Sequence, residues 1–255
     1  LEPVLIERVL PKDISSVQAG IYAKAYRLFD AGNNISYLFS VILLPLFAAV
    51  IKKGEDLQSL VKQSFSLMLT MTCIIAVVCI FYSKNLMELL YPRNENELVE
   101  IYNIRITESS RILQILMGSF VSISVTYIFG TLLTANGNLK QLNIVAAIGV
   151  ITNLTLNFIF IPIFEAKGAA FTSLCVQFVT CAIQFFIAKR IFNLKLGRAF
   201  WLSISSFIIL LIAATASLKS LNIHWIYTLL ISSLSGIIIA FITKTLDFKE
   251  LKNLL

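Results

Sequence analysis

The sequence predicts an all-α, polytopic membrane bundle, and three observations carry that prediction. Apolar residues make up 58% of the 255-residue chain and charged residues only 14%, against about 45–50% and about 25% in ordinary globular domains. The mean hydropathy is +0.85. The charges are confined to short patches between long uncharged runs, the pattern of a chain that crosses a bilayer repeatedly. Helices are required, because every backbone amide in hydrocarbon must find a partner without water.

Seven spans follow, at about 20–50, 60–83, 107–134, 139–163, 167–193, 199–217 and 223–243. Each holds roughly 18 residues or more, enough to cross ~30 Å of hydrocarbon at 1.5 Å per residue. The opening "LEPVLIERVLPKD" starts in the middle of a pattern. Residues 1–19 therefore read as the end of a truncated preceding helix and an outer loop. Residues 20–193 hold five spans, 199–243 hold two additional spans, and 244–255 form a tail. The connection 84–105 is the longest and reads as a solvated loop with a short interfacial helix.

Loop charge sets an orientation. Alternate loops and their flanks, beginning after residue 50, carry Lys52, Lys53, Lys62, Lys140, Lys189, Arg190, Lys195, Arg198, Lys244, Lys249 and Lys252, eleven cations. The other set carries Lys12, Lys84, Arg93, Arg105, Lys167 and Lys219, six, together with the acidic stretch "NENELVE". Cytoplasmic loops are the cation-rich ones, so the C-terminus is expected in the cytoplasm.

The composition also excludes function classes. The net charge of +7 comes without a basic block interleaved with aromatics, so no nucleic-acid partner is expected. Cys73, Cys79, Cys175 and Cys181 lie inside apolar runs without CxxC spacing, which argues against disulfides or zinc and for small buried hydrophobes. The single histidine, His224, lies in a short connection. HExxH, GxSxG and P-loop signatures are missing. The expectation is a non-enzyme with no catalytic residues, no metal and no cofactor.

The stretch "YAKAYRLFDAGNNISYLFSVILLPLF" (22–47) is the informative one. At 100° per residue, Lys24, Arg27, Asp30 and Asn34 share an arc of about 120°, with Asn33 just off it. Facing lipid at mid-bilayer, each ionic group would cost about 2.5–3.5 kcal/mol, while neighbouring Leu, Ile and Phe return about 0.3–0.6 each. The stripe must face other helices, a water-filled cavity or the interface. Lys24 and Arg27 are within snorkelling reach of the outer interface. Asp30, Asn33 and Asn34 lie one or two turns deeper on short side chains, which favours a cavity. Pro45, deeper still, removes a helix donor and crowds the Val41 carbonyl, a place for a kink or a hinge.

The third span repeats the theme with Glu108, Arg111 and Gln114, continued by Gly118 and Ser122. Glu108 and Arg111 are spaced to pair with each other or to meet a ligand. Ala146, Gly149, Asn153 and Asn157 in the fourth span, and Ser173, Gln177, Thr180 and Gln184 in the fifth, form seams of small and amide residues. Such seams serve mainly in helix packing.

Two motifs carry a resemblance. "IYAKAYRLFDAGNNISYLFSVILLPLF" (21–47) and "NFIFIPIFEAKGAAFTSL" (157–174) resemble helix eight and a later helical turn of the oligosaccharide-lipid flippases. These are the polysaccharide-biosynthesis members of the multidrug/oligosaccharidyl-lipid/polysaccharide (MOP) exporter superfamily. Phe164-Glu165 stands where Tyr-Gly is common in that family. The resemblance implies the C-terminal lobe of a MATE-like fourteen-helix exporter in a bacterial inner membrane, with a missing N-terminal lobe as its partner.

The implied activity is flipping of a polyprenyl-diphosphate-linked oligosaccharide (an O-antigen, capsule or other exopolysaccharide unit) from the inner to the outer leaflet by alternating access. Its partners would be that lipid-linked substrate, the bilayer and other glycan-assembly membrane proteins. Under it, Lys24, Arg27 and Arg111 would offer charge to the diphosphate. Asp30, Asn33 and Asn34 would keep the cavity wet, and Pro45 would bend. Three competitors differ in class: a cation-coupled multidrug carrier, a membrane enzyme of lipid-linked glycan assembly, and a non-transporting scaffold. The carrier would need more buried acids than Asp30 and Glu108, and the enzyme a catalytic outer loop.

Overall fold

The structure, a computed structural model, describes residues 2–221 and 223–246. The chain is all-helical, 87% helix with no strand among the described residues. The helices are α1 (Glu2–Val9), α2 (Lys12–Lys53), α3 (Leu57–Phe81), α4 (Ser83–Leu90), α5 (Val99–Ala135), α6 (Leu139–Ile191), α7 (Arg198–Lys219) and α8 (Trp225–Ile242). Six of them are long and apolar enough to cross a membrane.

Local chemistry explains the helix ends. Pro11 precedes α2 with φ −56°, where a missing N–H costs nothing. Asp13 lies in the first turn of α2 and Lys52 and Lys53 in its last, both matching the helix dipole. Gly54 closes α2 in the left-handed region at φ 68°, which a glycine adopts without a Cβ penalty. Asp56 caps α3 by accepting from the Gln58 amide at 3.0 Å, and His224 caps α8 through Nδ1. Two expected boundaries move as a result. Residues 12–19, expected in an outer loop, are the first two turns of α2. The third span starts at Val99 because α5 begins at the end of a shortened connection. The short interfacial helix expected in 84–105 corresponds to α4, at Ser83–Leu90.

The 53-residue α6 would be about 80 Å long if straight. It folds back at Glu165, whose φ 54° and ψ −135° are non-helical. Contacts pair residues on either side of that point: Phe160 with Phe171, and Gly149 with Val176 and Thr180. The arms are therefore antiparallel neighbours, and the expected spans 139–163 and 167–193 are those two arms. With α6 counted twice, the described residues provide seven helical segments of a length to cross a membrane. The turn is so tight that a Cβ on Gly168 would be driven into the carbonyl of Phe160. Gln18 Nε2 donates to Glu165 Oε2 at 2.5 Å, tying the tip of the hairpin to the start of α2.

Helix α5 is central and packs against α2, α3, α4 and α6. Its Ile112, Leu113, Leu116, Phe120, Ile128, Phe129 and Leu132 are fully buried. One core joins its first half to α1, α2 and the tip of α6. The other joins its second half to α3, α7 and α8. Gly236 of α8 lies against Ile74 of α3 and Leu211 of α7, so its missing side chain lets three helices converge. All four cysteines are free. Residues 247–255 of the expected tail, with Lys249 and Lys252, lie outside the described residues.

Gly168→Ala should lower stability by about 1–3 kcal/mol, because the opposing atoms are backbone and cannot yield. Gly20→Ala, with open space around the new methyl, should be neutral or stabilising by up to about 1 kcal/mol. Thermal unfolding of the two variants in detergent checks the contrast; equal effects would contradict the tight turn.

Candidate functional site on the uncovered face of α2

The packing of α2 against α5 decides where its polar residues point. Ser36 Oγ lies 2.8 Å from Ser124 Oγ, and a Cβ on Gly32 would touch the Phe120 ring at 3.4 Å. Both pairs are 88 residues apart, so the two helices run parallel in one register. The buried face of α2 carries Tyr22, Ala25, Phe29, Ser36, Ser40, Leu43 and Phe47. Arg27, Asp30 and Asn34 lie on the opposite side and are exposed, followed by exposed Leu38, Val41 and Ile42. No described helix covers that face. Asn33 is half-buried, and its carbonyl oxygen is enclosed without a hydrogen-bond partner.

The same register gives depth. Gln114 of α5 donates to the Ile80 carbonyl at 3.4 Å and to Ser83 Oγ at 2.8 Å, so it lies level with the α3–α4 junction. Lys219 Nζ bonds the Phe81 carbonyl at 2.6 Å, which marks the same end of the bundle. Shifted by 88 residues, that level falls at Tyr26. Arg27 therefore lies close to the level of the α3–α4 junction, while Asp30 and Asn34 lie about one and two turns further along α2.

Lys24 takes a different position from the stripe. It is half-buried, with Nζ 5.7 Å from the Tyr91 ring centre, and Tyr91 Oη donates to its carbonyl at 3.3 Å. It lines a groove with Val17, Gly20, Ile101, Ile104 and Arg105. Arg105 forks Glu97, with Nε at 2.9 Å and a terminal nitrogen at 2.8 Å. This charge-assisted pair holds the Glu97 carboxyl below its ordinary value.

Glu108 and Arg111 stay together, 3.6 Å apart, as their spacing allows. The closer partner of Glu108 is Lys167, at 2.7 Å across the α6 tip. The seven candidates thus fall into three places: Lys24 beside Tyr91, the exposed group on α2 with Asn33 at its edge, and Glu108–Arg111 at the hairpin tip. Pro45 is exposed, and α2 continues as helix through it.

One polar cluster has no counterpart among the sequence candidates. Glu2 Oε1 accepts from Asn153 Nδ2 at 3.3 Å and from Ser173 Oγ at 3.5 Å. Asn157 Nδ2 in turn donates to Asn153 Oδ1 at 3.0 Å. The cluster pins α1 to both arms of α6. Asn153, Asn157 and Ser173 stand in the packing seams of the sequence, but their partner lies about 150 residues away, at 151 and 171 positions.

Comparison with known families finds that residues 4–238 match the family described as lipid II flippase MurJ. The chain belongs to the MurJ family. That family lies within the MOP superfamily to which the motifs pointed, but it is a different branch from polysaccharide export. MurJ proteins are flippases of a lipid-linked precursor, and this coarser role applies to the chain as a family member. A search of curated proteins returned no match.

The Glu97–Arg105 pair makes a pH-dependent prediction. Because the folded carboxyl titrates lower than an ordinary one, the pair's stabilisation is complete above about 4.5. It is lost as pH falls through the folded value. Wild type should exceed Glu97→Gln in stability at neutral pH, and the gap should close in acid. Unfolding curves from pH 7 to pH 3 check this; a constant gap would contradict it.

Proposed function

We propose that this chain forms one wall of a translocation path for a polyprenyl-diphosphate-linked glycan, with the peptidoglycan precursor lipid II as the cargo. Family membership supports the cargo class. The observation that carries the mechanism is the uncovered face of α2, where Arg27, Asp30 and Asn34 are exposed together, with Asp30 and Asn34 past the level of the α3–α4 junction. Acyl chains against this face would charge a short carboxylate about 2.5–3.5 kcal/mol near mid-bilayer. A wet path between two lobes removes that cost.

In this reading Arg27 meets the diphosphate, since a guanidinium pairs with phosphate oxygens in a planar fork. Lys24, at the Tyr91 end, attracts the same anion as it approaches or leaves. Asp30, Asn33 and Asn34 hold water and hydrogen-bond the polar head, while the polyprenol tail trails in lipid. Glu108 with Arg111 neutralises the hairpin tip. A lobe preceding this chain supplies the other wall, and rocking of the lobes, with bending of α2 at Pro45, exchanges the side of access. The chain would sit in the bacterial inner membrane with its C-terminus in the cytoplasm, alongside other glycan-assembly proteins.

Arg27→Ala and Asp30→Ala in the full-length protein should each cut translocation of the precursor at least about tenfold, a loss of ~1.4 kcal/mol in transition-state stabilisation. Membrane abundance should stay normal. The measurement is precursor accumulation on the inner leaflet in cells depleted of wild type. Normal translocation by both variants would remove α2 from the path. Accumulation of a capsule or O-antigen unit in place of the peptidoglycan precursor would move the cargo to the polysaccharide branch.

A further inference from the structure

Between α5 and the two arms of α6 lies a groove of about 310 Å³, within the size range of small-molecule sites. Its polar lining is Thr126 of α5, Asn153 of the first arm, and Gln177, Thr180 and Gln184 of the second. Gln177, Thr180 and Gln184 fall at i, i+3 and i+7, so one helix face presents all three. Gly149 sets the width, since Thr180 Cγ2 approaches to 3.1 Å of where its Cβ would stand. Val145, Val150 and Val176 supply an apolar strip beside the polar one.

The hydrogen-bond inventory gives the groove a definite preference. Thr126 and Thr180 spend their hydroxyl protons on their own helix, donating to Ser122 at 3.0 Å and Val176 at 2.9 Å. With those protons committed, the Thr180 oxygen is left to accept. Gln184 is 9% exposed, and its Oε1 is turned toward Gly130 of α5, buried without a hydrogen-bond partner. A buried carbonyl oxygen without a donor is a rare and costly condition. None of the lining side chains is charged, so the groove offers no counter-charge to a phosphate or a carboxylate, while the Gln177 and Gln184 amides can both donate and accept. What fits is a neutral ligand whose hydroxyls and amides both donate and accept, with an apolar face.

We propose that this groove is the site for the uncharged part of the cargo, its sugar hydroxyls and amides, separate from the charged face of α2 that takes the diphosphate. The assignment rests on the translocation reading above and adds to it a division of labour. The polar head is recognised by the uncharged, amide-lined groove, with sugar C–H faces on the valines, and the phosphates by Arg27. Selection among lipid-linked glycans then depends on α5 and α6, while affinity for the common diphosphate depends on α2.

The test uses the full-length protein reconstituted in vesicles, with two cargoes: the complete lipid-linked precursor and the same polyprenyl diphosphate bearing a single sugar. Half-buried Gln177 and buried Gln184 are each replaced by Leu. For the complete precursor, apparent KM should rise about tenfold in each variant, while the single-sugar cargo moves at the wild-type rate. Gln177→Leu keeps the test valid if Gln184→Leu misfolds, since Gln177 is partly solvent-exposed. Unchanged transport of both cargoes, or an equal fall for both, overturns the groove assignment. Failure of the wild type to move either cargo overturns the translocation reading as well.

Discussion

The close parallel contact of α2 with α5 is the constraint on which the rest of the molecule depends. Gly32 and the Ser36–Ser124 hydrogen bond allow the two backbones to approach, as small residues do in membrane helices. Each of these serine hydroxyls also has an acceptor in its own helix or the facing one, as Ser124 does with the Phe120 carbonyl at 2.7 Å. Once that face is used, the geometry of a 3.6-residue turn leaves Arg27, Asp30 and Asn34 on the far side. A one-residue rotation of α2 would carry its small residues off α5 and drag the charged face toward the core. Packing and function are therefore set by the same seam.

The second constraint is the fold-back of α6. Glu165 adopts a backbone conformation that glycine tolerates and other residues seldom do. It is held there by the hydrogen bond from Gln18 and by the close approach of Gly168 to Phe160. The tip gathers Lys167, Glu108 and Arg111 into one ionic group. Beneath it, the antiparallel arms bring Gly149 to Thr180 and enclose the groove. A straight α6 would dismantle the groove, the ionic tip and the anchoring of α1 through Glu2 at once.

Much of the fold was legible in the sequence because a bilayer writes strong signals: long apolar runs, bounded by charge, can only be helices. Both arms of α6 were readable as separate spans for that reason. The start of α2 was missed because residues 12–19 are polar and amphipathic, and only contacts such as Gln18–Glu165, 147 residues apart, show them packed. The polar stripe on α2 was legible as a shared face, since its members are neighbours in sequence. Its separation from Glu108 was not, because Lys167 claims that carboxylate from a distant turn. Nor was the role of Glu2, whose partners Asn153 and Ser173 come together only after α6 folds back. The motifs reached the right superfamily but the wrong branch, because the helix pattern they share reports a common scaffold more than a cargo.

The central claim is that the exposed face of α2 meets water inside the assembled protein and not the acyl chains. It is tested most directly at Asn34, the deepest exposed member of the stripe. In full-length protein stripped of its native cysteines, Asn34→Cys should react in membranes with a charged, water-borne thiol reagent. Its rate should come within about tenfold of Arg93→Cys in the connection between α4 and α5, and the lipid-linked cargo should slow it. Reaction only with a reagent dissolved in the lipid, at a rate the cargo leaves unchanged, would place this face against hydrocarbon and contradict the account.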